Sequence, residues 1–368
     1  MAGRIVLFGA TGYTGRMTAE ALVRRGARPV LAGRSSGRLE ELSAELGGLE
    51  FAVADVADPE TVQDLVEPGD VLVTTVGPFT RWGHAAAEAA VKRGAHYLDS
   101  TGEPPFIREV FERYGPAARR AGVGMLTAFG YDWVPGNLAG ALALHRAGDE
   151  AVRVDVGYFF TGDSRNGASG GTLASLAGAV AAPGYAWRDG RIVTERTAKR
   201  VREFDVDGKQ RPAASVGASE NFTLPRVAPG LREVNTYLGW FGPLTRPMQA
   251  ASMAGAAAFK VPGASAAFDA FTNRFLKGST GGPDVATRAK SGSHIVGEAY
   301  GPGGRLLARV RVTGGNGYEF TADVLAWGSM KAAEGALRDT GALGPVDGYG
   351  LEVLEAGCAE AGMQSSPA

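Results

Sequence analysis

Ile5-Val6-Leu7-Phe8-Gly9-Ala10-Thr11-Gly12-Tyr13-Thr14-Gly15 is the stretch from which the rest of the chain is read. The apolar run predicts a buried strand, the three glycines a tight turn, and the pattern from Met17 to Arg24 a helix. Gly9 lets the chain turn, Gly12 lets the backbone approach a phosphate, and Gly15 lets the helix pack closely on the strand. The helix start offers free N–H groups and a positive dipole end to an anion. Strand, glycine turn and helix in this order predict that residues 9–15 cradle the pyrophosphate of a dinucleotide.

Downstream, Pro29-Val30-Leu31-Ala32 predicts a second strand ending at Gly33-Arg34-Ser35. An acidic residue at this position takes a ribose 2′-hydroxyl, whereas a basic one accommodates a 2′-phosphate. Arg34 stands there, with Arg38 one helical turn on and Ser35 beside it, so the cofactor expected is NADP(H). Phe51-Ala52-Val53 predicts a third strand; Asp55 at its end either reaches the adenine or caps the helix from Pro59. A fourth strand over 71–75 runs into Val76-Gly77-Pro78-Phe79, and a strand over 96–98 runs into Asp99-Ser100-Thr101-Gly102-Glu103. Ligands in these folds sit at the carboxyl ends of parallel strands, which makes Val76 to Phe79 and Thr101 with Gly102 further cofactor contacts. With a last strand at 123–127, six strands alternate with helices and predict a doubly wound parallel sheet.

The texture changes at Gly130-Tyr131-Asp132-Trp133-Val134-Pro135-Gly136-Asn137, an aromatic loop broken by proline. Alternating strands and hairpin signals from there to about 318 predict an α+β domain with a mixed sheet. The expected division is a nucleotide-binding domain over 1–134, a substrate or dimerisation domain over 135–318, and C-terminal helices over 319–368 that pack back on the first domain.

The bulk numbers exclude several classes. The chain has 368 residues and a net charge of −1, which gives no electrostatic case for nucleic acid. Its single cysteine, Cys358, rules out an internal disulfide framework and suits a reducing compartment. The first strand begins at once, leaving no room for a signal peptide, so a cytoplasmic setting is expected. No metal-ligand spacing occurs. The Ala-rich stretch 250–268 is broken by Lys260 and Pro262, too short to span a bilayer, and reads as a core or dimer-interface helix.

Three chemistries compete. A short-chain dehydrogenase needs a tyrosine with lysine four residues on, and none of the ten tyrosines has one. Gly167-Ala168-Ser169-Gly170-Gly171 has the pattern of a hydrolase nucleophile elbow, but a polar loop precedes it where a strand is needed. Hydride transfer remains, in which the cofactor carries the difficult chemistry and the protein orients substrate and handles a proton. Tyr131 and Asp132 are the catalytic candidates; Trp133, Tyr158, Arg165 and Ser169 are the substrate-binding candidates. Each also has a packing or capping reading.

Taken together, Gly9 to Gly15, Ala32-Gly33-Arg34, Val76 to Phe79, Tyr97 to Glu103 and Gly130-Tyr131-Asp132 resemble saccharopine-dehydrogenase-like oxidoreductases. The resemblance, strongest toward the trans-acting enoyl reductase branch, extends to Ser169 to Thr172, Gly282-Pro283-Asp284 and Gly297-Glu298-Ala299. It implies an NADP(H)-binding Rossmann domain, then a domain with a mixed sheet that shapes the substrate cleft and often mediates dimerisation. It implies reduction of a C=C or C=N bond, with the Tyr131-Asp132 loop lining the nicotinamide pocket. Trp133 and Gly136-Asn137 depart from the family's usual small polar residue and Ser-Asp, which puts the family's substrates in doubt. Enoyl reductase members act on polyketide-type chains, so a thioester-linked substrate and an acyl carrier protein partner are implied. Arg196, Lys199, Arg200 and Arg202 form a basic cluster that reads as a solvated face, with docking of an acidic carrier as the other reading. The expectation is an NADPH-dependent reductase of an enoyl or related conjugated bond; the alternatives are imine reduction and a non-catalytic NADP-binding sensor.

Overall fold

The computed structural model describes residues 3–162, 183–258 and 281–367. These divide into two compact units. The first takes the residues up to Thr101, then Phe106–Val134 and Gly317–Gly362; the second takes Gly102–Pro105, Pro135–Asn316 and the chain from Met363 on.

In the first unit, β1 (Ile5–Phe8), β2 (Val30–Gly33), β3 (Phe51–Val53), β4 (Val71–Thr74), β5 (His96–Asp99) and β6 (Gly124–Leu126) form a parallel sheet. With β15 (Gly341–Ala342), the order is β15-β6-β5-β4-β1-β2-β3. β1, β2 and β4 are buried along their whole length, which is why they read as unbroken apolar runs. The order reverses between β1 and β4, the place where such sheets open a crevice at their carboxyl edge.

Helices connect the successive strands. Helix α1 spans Tyr13–Arg24, α2 Ser36–Glu45 and α3 Pro59–Gln63. Helix α4 spans Phe79–Arg93, with Pro78 at the N-cap, where no N–H is needed. Between β5 and β6 the chain runs through three pieces: α5 (Pro104–Glu109), a π-turn over Val110–Tyr114, and α6 (Gly115–Ala121). The long C-terminal helix, Gly317–Ala333, is apolar nearly all round and runs beside α1, with Arg24 bonded to Asp323 at 3.0 Å.

The second unit has nine strands among the described residues. They are β7 (Arg153–Gly162), β8 (Pro183–Arg188), β9 (Arg191–Arg196), β10 (Val201–Val206), β11 (Lys209–Val216), β12 (Glu233–Leu238), β13 (Ser291–Tyr300), β14 (Leu306–Gly314) and β16 (Met363–Pro367). The main path is β10-β11-β12-β7-β13-β14-β16, with the β8–β9 hairpin on β12. Only the β12–β7 pair is parallel among these, so the sheet is mixed.

Period two governs this sheet. On one face Val156 and Tyr158 of β7 meet α7 (Val134–Ala147), whose backbone comes so close to β13 that a Cβ on Gly297 would lie 2.4 Å from the Ala139 carbonyl oxygen. On the other face Phe159 packs with Phe204, Tyr237 and Val296. Beside that cluster, Arg202 binds both Asp155 and Glu298, and Glu298 also takes Arg309 at 2.8 Å.

That network corrects the reading of the basic cluster as a solvated face. Lys199 and Arg200 pair with Glu195, whose carboxyl is held down at about 2; against the cost of burial, the hydrogen bond from Arg200 is the largest lowering influence. Arg196 donates to the carbonyls of Thr197 and Ala198, and Arg202 is locked between two buried carboxylates. The four cations answer the chain's own groups, so their sequence clustering is no argument for an acidic docking partner.

Candidate cofactor and catalytic site

Sterics make the turn after β1 a glycine site. Gly9 has φ +90°, and a Cβ there would lie 2.8 Å from Thr75 Oγ1. A Cβ on Gly15 would lie 2.1 Å from the Gly9 carbonyl oxygen, so α1 can cross β1 only if residue 15 has no side chain. The turn is stitched to its neighbours by Gly9 N–H and Ala10 N–H on the Ala32 carbonyl, at 2.9 and 3.1 Å. Gly12 is the N-cap of α1 and brings no capping side chain, which leaves the first-turn N–H groups available to an anion. Thr11 and Thr14 contribute backbone carbonyls, to Arg38 and to the Thr18 hydroxyl. Tyr13 opens the helix with its ring edge-on to Tyr318.

The second anion position lies at the end of β2. Arg34 is exposed and makes no ion pair or hydrogen bond among the described residues. Arg38 reaches back to donate to the Thr11 carbonyl at 2.7 Å, joining the start of α2 to the glycine turn. Ser35 is the N-cap of α2 and its side chain caps nothing, so this helix start also keeps its N–H groups for an anion. An unpaired guanidinium beside an uncapped helix start fits a 2′-phosphate. Asp55 does not cap α3: its carboxylate accepts the Ala57 N–H at 2.9 Å in a local turn, and the N-cap position is Asp58, whose side chain makes no capping bond.

Beyond the switch point, Val76, Gly77 and Pro78 are half-buried in the loop between β4 and α4, with the Gly77–Pro78 bond cis. Phe79 is buried against Phe106, so it supports this loop from below. The next exits are organised by Asp99, a residue the sequence reading passed over. Its fully buried carboxylate accepts Thr101 N–H at 2.9 Å, Ala128 N–H at 2.8 Å and the Thr127 hydroxyl at 2.7 Å. Burial raises it to about 6 despite these donors. Thr101 is thereby fully buried and tied, with Gly102 following it half-exposed.

Asp99 fixes the loop carrying Tyr131 and Asp132. Ala128 takes the left-handed conformation, φ 57°; the Phe129 N–H then donates to the Asp99 carbonyl at 2.7 Å, and the Trp133 and Val134 N–H groups close the turns that follow. Tyr131 is 6% exposed and its N–H is held by Thr321 Oγ1 at 2.9 Å. Asp132 reaches the surface in part, yet its Oδ1 is shut off from solvent and accepts no hydrogen bond among the described residues. That desolvation raises its carboxyl to about 7.

Two substrate-binding expectations are corrected. Trp133 is 1% exposed and packs inside the first unit. Tyr158 is fully buried in the second unit, where its hydroxyl donates to Glu220 at 2.7 Å and accepts Gly136 N–H at 2.9 Å. It acts as a structural pin, not as open lining. Glu220, on the helix Glu220–Val227, is a buried carboxylate no pattern announced, since that helix is short and contains Pro225. Arg165 and Ser169 lie outside the described residues. His84 bonds Tyr114 and the Thr80 carbonyl within its own surroundings. Among the described residues no cluster could hold a metal, and no helix is long and apolar enough to cross a membrane.

The glycine turn, Arg34 without a partner among the described residues, and two uncapped helix starts along one carboxyl edge define an NADP(H)-binding domain of the Rossmann type. Residues 5–126 match the saccharopine dehydrogenase NADP binding domain family. Along 179 residues the chain is 38% identical to a putative trans-acting enoyl reductase of Mycobacterium tuberculosis, covering 47% of this chain and 43% of that protein. It is 35% identical over 184 residues to a trans-acting enoyl reductase of Mycobacterium ulcerans, covering 48% and 44%. The matches thus span less than half the length of these relatives. The fold is similar to that of saccharopine dehydrogenase (L-Glu forming) from Saccharomyces cerevisiae, with TM-score 0.62 and 12% identity over the whole of both chains.

Proposed function

We propose that the chain is an NADPH-dependent reductase of an activated carbon–carbon double bond, with an enoyl thioester as substrate. The observation that carries this is Asp132, a carboxyl near 7 with a desolvated, unbonded Oδ1, on the same carboxyl edge as the glycine turn. NADPH, when bound, supplies the hydride. The glycine turn and the start of α1 hold the pyrophosphate, and Arg34 with Ser35 and the start of α2 takes the 2′-phosphate. Asp132, largely protonated just below neutral pH, gives up the proton that the reduced chain needs at the carbon next to its carbonyl. Asp99 keeps the Asp132 loop in register with the Thr101 loop.

The relatives named trans-acting enoyl reductases support an acyl chain presented by a separate protein, and a carrier-bound enoyl thioester is the substrate we assign. The test is NADPH oxidation against a panel of enoyl thioesters, enones and cyclic imines. Turnover of the enoyl thioesters is expected; turnover of imines alone would move the assignment to C=N reduction, and none at all would leave an NADP-binding sensor. Within an active enzyme, Tyr131→Phe and Asp132→Asn identify the proton donor: Asp132→Asn is expected to lower kcat by about a hundredfold and Tyr131→Phe much less.

A further inference from the structure

The long C-terminal helix lies outside the matched nucleotide-binding segment, yet its first turn touches both functional loops of the first unit. Thr321 Oγ1 accepts the Tyr131 N–H at 2.9 Å and donates to the Gly317 carbonyl at 2.8 Å. A Cβ on Gly317 would lie 2.9 Å from Tyr131 Cγ, the root of that ring, where little can give. A Cβ on Gly130 would lie 2.9 Å from the Thr321 methyl, so the loop backbone and the helix are in direct contact. One residue on from Gly317, the Tyr318 ring stands edge-on to Tyr13 with centroids 5.2 Å apart and planes at 87°. Tyr13 is the first residue of α1, directly after its N-cap, Gly12.

The two loops joined in this way leave strands β1 and β6, with β4 and β5 between them. At about 4.8 Å per strand they are about 14 Å apart, too far to touch directly. We propose that Gly317, Tyr318 and Thr321 are positioning residues: the first turn of this helix sets the Tyr131–Asp132 loop in register with the dinucleotide turn. The proposal rests on the part of the reductase reading that seats NADPH at the glycine turn. Tyr318 acts on the turn through Tyr13; Gly317 and Thr321 act on the loop through Tyr131. The physical basis is that a helix is stiff over one turn, so a shift at one contact is passed to the other.

Hydrogen exchange of the full chain with and without NADPH tests this independently of substrate. NADPH is expected to slow exchange in the glycine turn, in 128–134 and in 317–322. In Gly317→Ala and in Thr321→Val the response of 128–134 should be lost while that of the glycine turn stays. In turnover, both variants should lose about tenfold or more in kcat with NADPH affinity within about twofold; Tyr318→Phe should match wild type and Tyr318→Leu should weaken the coupled protection. Should Gly317→Ala fail to fold, Thr321→Val, nearly the same shape, decides. Protection of the glycine turn alone in the wild type overturns the proposal and leaves the cofactor assignment intact. Protection nowhere overturns both. Coupled protection without turnover of any substrate sustains this proposal and sinks the reductase reading.

Discussion

Asp99 Oδ1 accepts the backbone N–H of Ala128 at 2.8 Å, and Ala128 stands in the left-handed region at φ 57°. A non-glycine residue holds that conformation only when its surroundings compensate the strain, and here a buried carboxylate does so. The same oxygen takes Thr101 N–H, so one side chain ties the exits of β5 and β6 together. Those two exits carry the Thr101 and Asp132 loops.

Asp99→Leu is therefore expected to leave two buried N–H groups and a buried hydroxyl unbonded, at a cost of about 3–5 kcal/mol in unfolding free energy. Asp99→Asn keeps an oxygen for both N–H groups and an amide for the Thr127 hydroxyl, and should lose far less. Urea melts of the two variants measure this; equal losses would mean that charge, not hydrogen-bond geometry, holds the loops.

Arg34 is expected to set cofactor choice. Arg34→Ala should weaken NADPH binding by about thirtyfold, near 2 kcal/mol, through loss of a charged contact to the 2′-phosphate. NADH affinity should be unchanged. Paired fluorescence titrations check this, and an equal loss for both nucleotides would place Arg34 elsewhere than at the 2′ position.

Protonation of Asp132 should show in both rate and stability. As a proton donor it works below about 7, so kcat should fall as pH rises through that value, and Asp132→Asn should remove this limb. Its folded-state pKa is raised above the ordinary carboxylate range, so the folded chain binds the extra proton. The stabilisation is present at low pH and is lost as pH rises toward and through about 7. Asp99, raised to about 6, acts in the same direction over a lower window. The stability of Asp132→Asn relative to wild type should accordingly improve between pH 5 and pH 8, as thermal melts across that range would register.

Arg202 should matter for folding and not for nucleotide binding. It lies between Asp155 and Glu298, both with side chains under 5% exposed. Arg202→Met removes the cation shared by these two carboxylates but leaves Glu298 with Arg309 and Asp155 with Asn235 and Arg153, and should cost about 2–3 kcal/mol. NADPH affinity should hold in whatever fraction stays folded; a selective loss of NADPH binding would contradict the internal role given to this cluster.

The Rossmann half was legible because its signals are short-range. The apolar runs of β1 and β4 are buried strands, and Gly9 and Gly15 stand where a Cβ would strike backbone or side chain. The final strand Met363–Pro367 gave no such signal: Gln364, Ser365 and Ser366 are polar edge residues whose strand state comes from pairing with β14. Glu220–Val227 is helical although Pro225 interrupts it, supported by Asn221 on the Val234 carbonyl and Thr223 on Asn137. Tyr158 looked like a pocket residue because an isolated tyrosine on an alternating strand carries no sign of which partner its hydroxyl will find.

What the sequence by itself determined is the nucleotide turn, the basic residue at the end of β2 and the alternation that makes one parallel and one mixed sheet. These depend on backbone sterics, residue charge and periodicity within a dozen positions. Only the tertiary structure decided that Asp99 organises two loops, that Arg202 is internal, and that Gly317 and Tyr318 meet Tyr131 and Tyr13. Each of those depends on which groups a distant part of the chain brings within hydrogen-bond or van der Waals range. A buried carboxylate or an unfilled Cβ position has meaning only once its neighbours are in place.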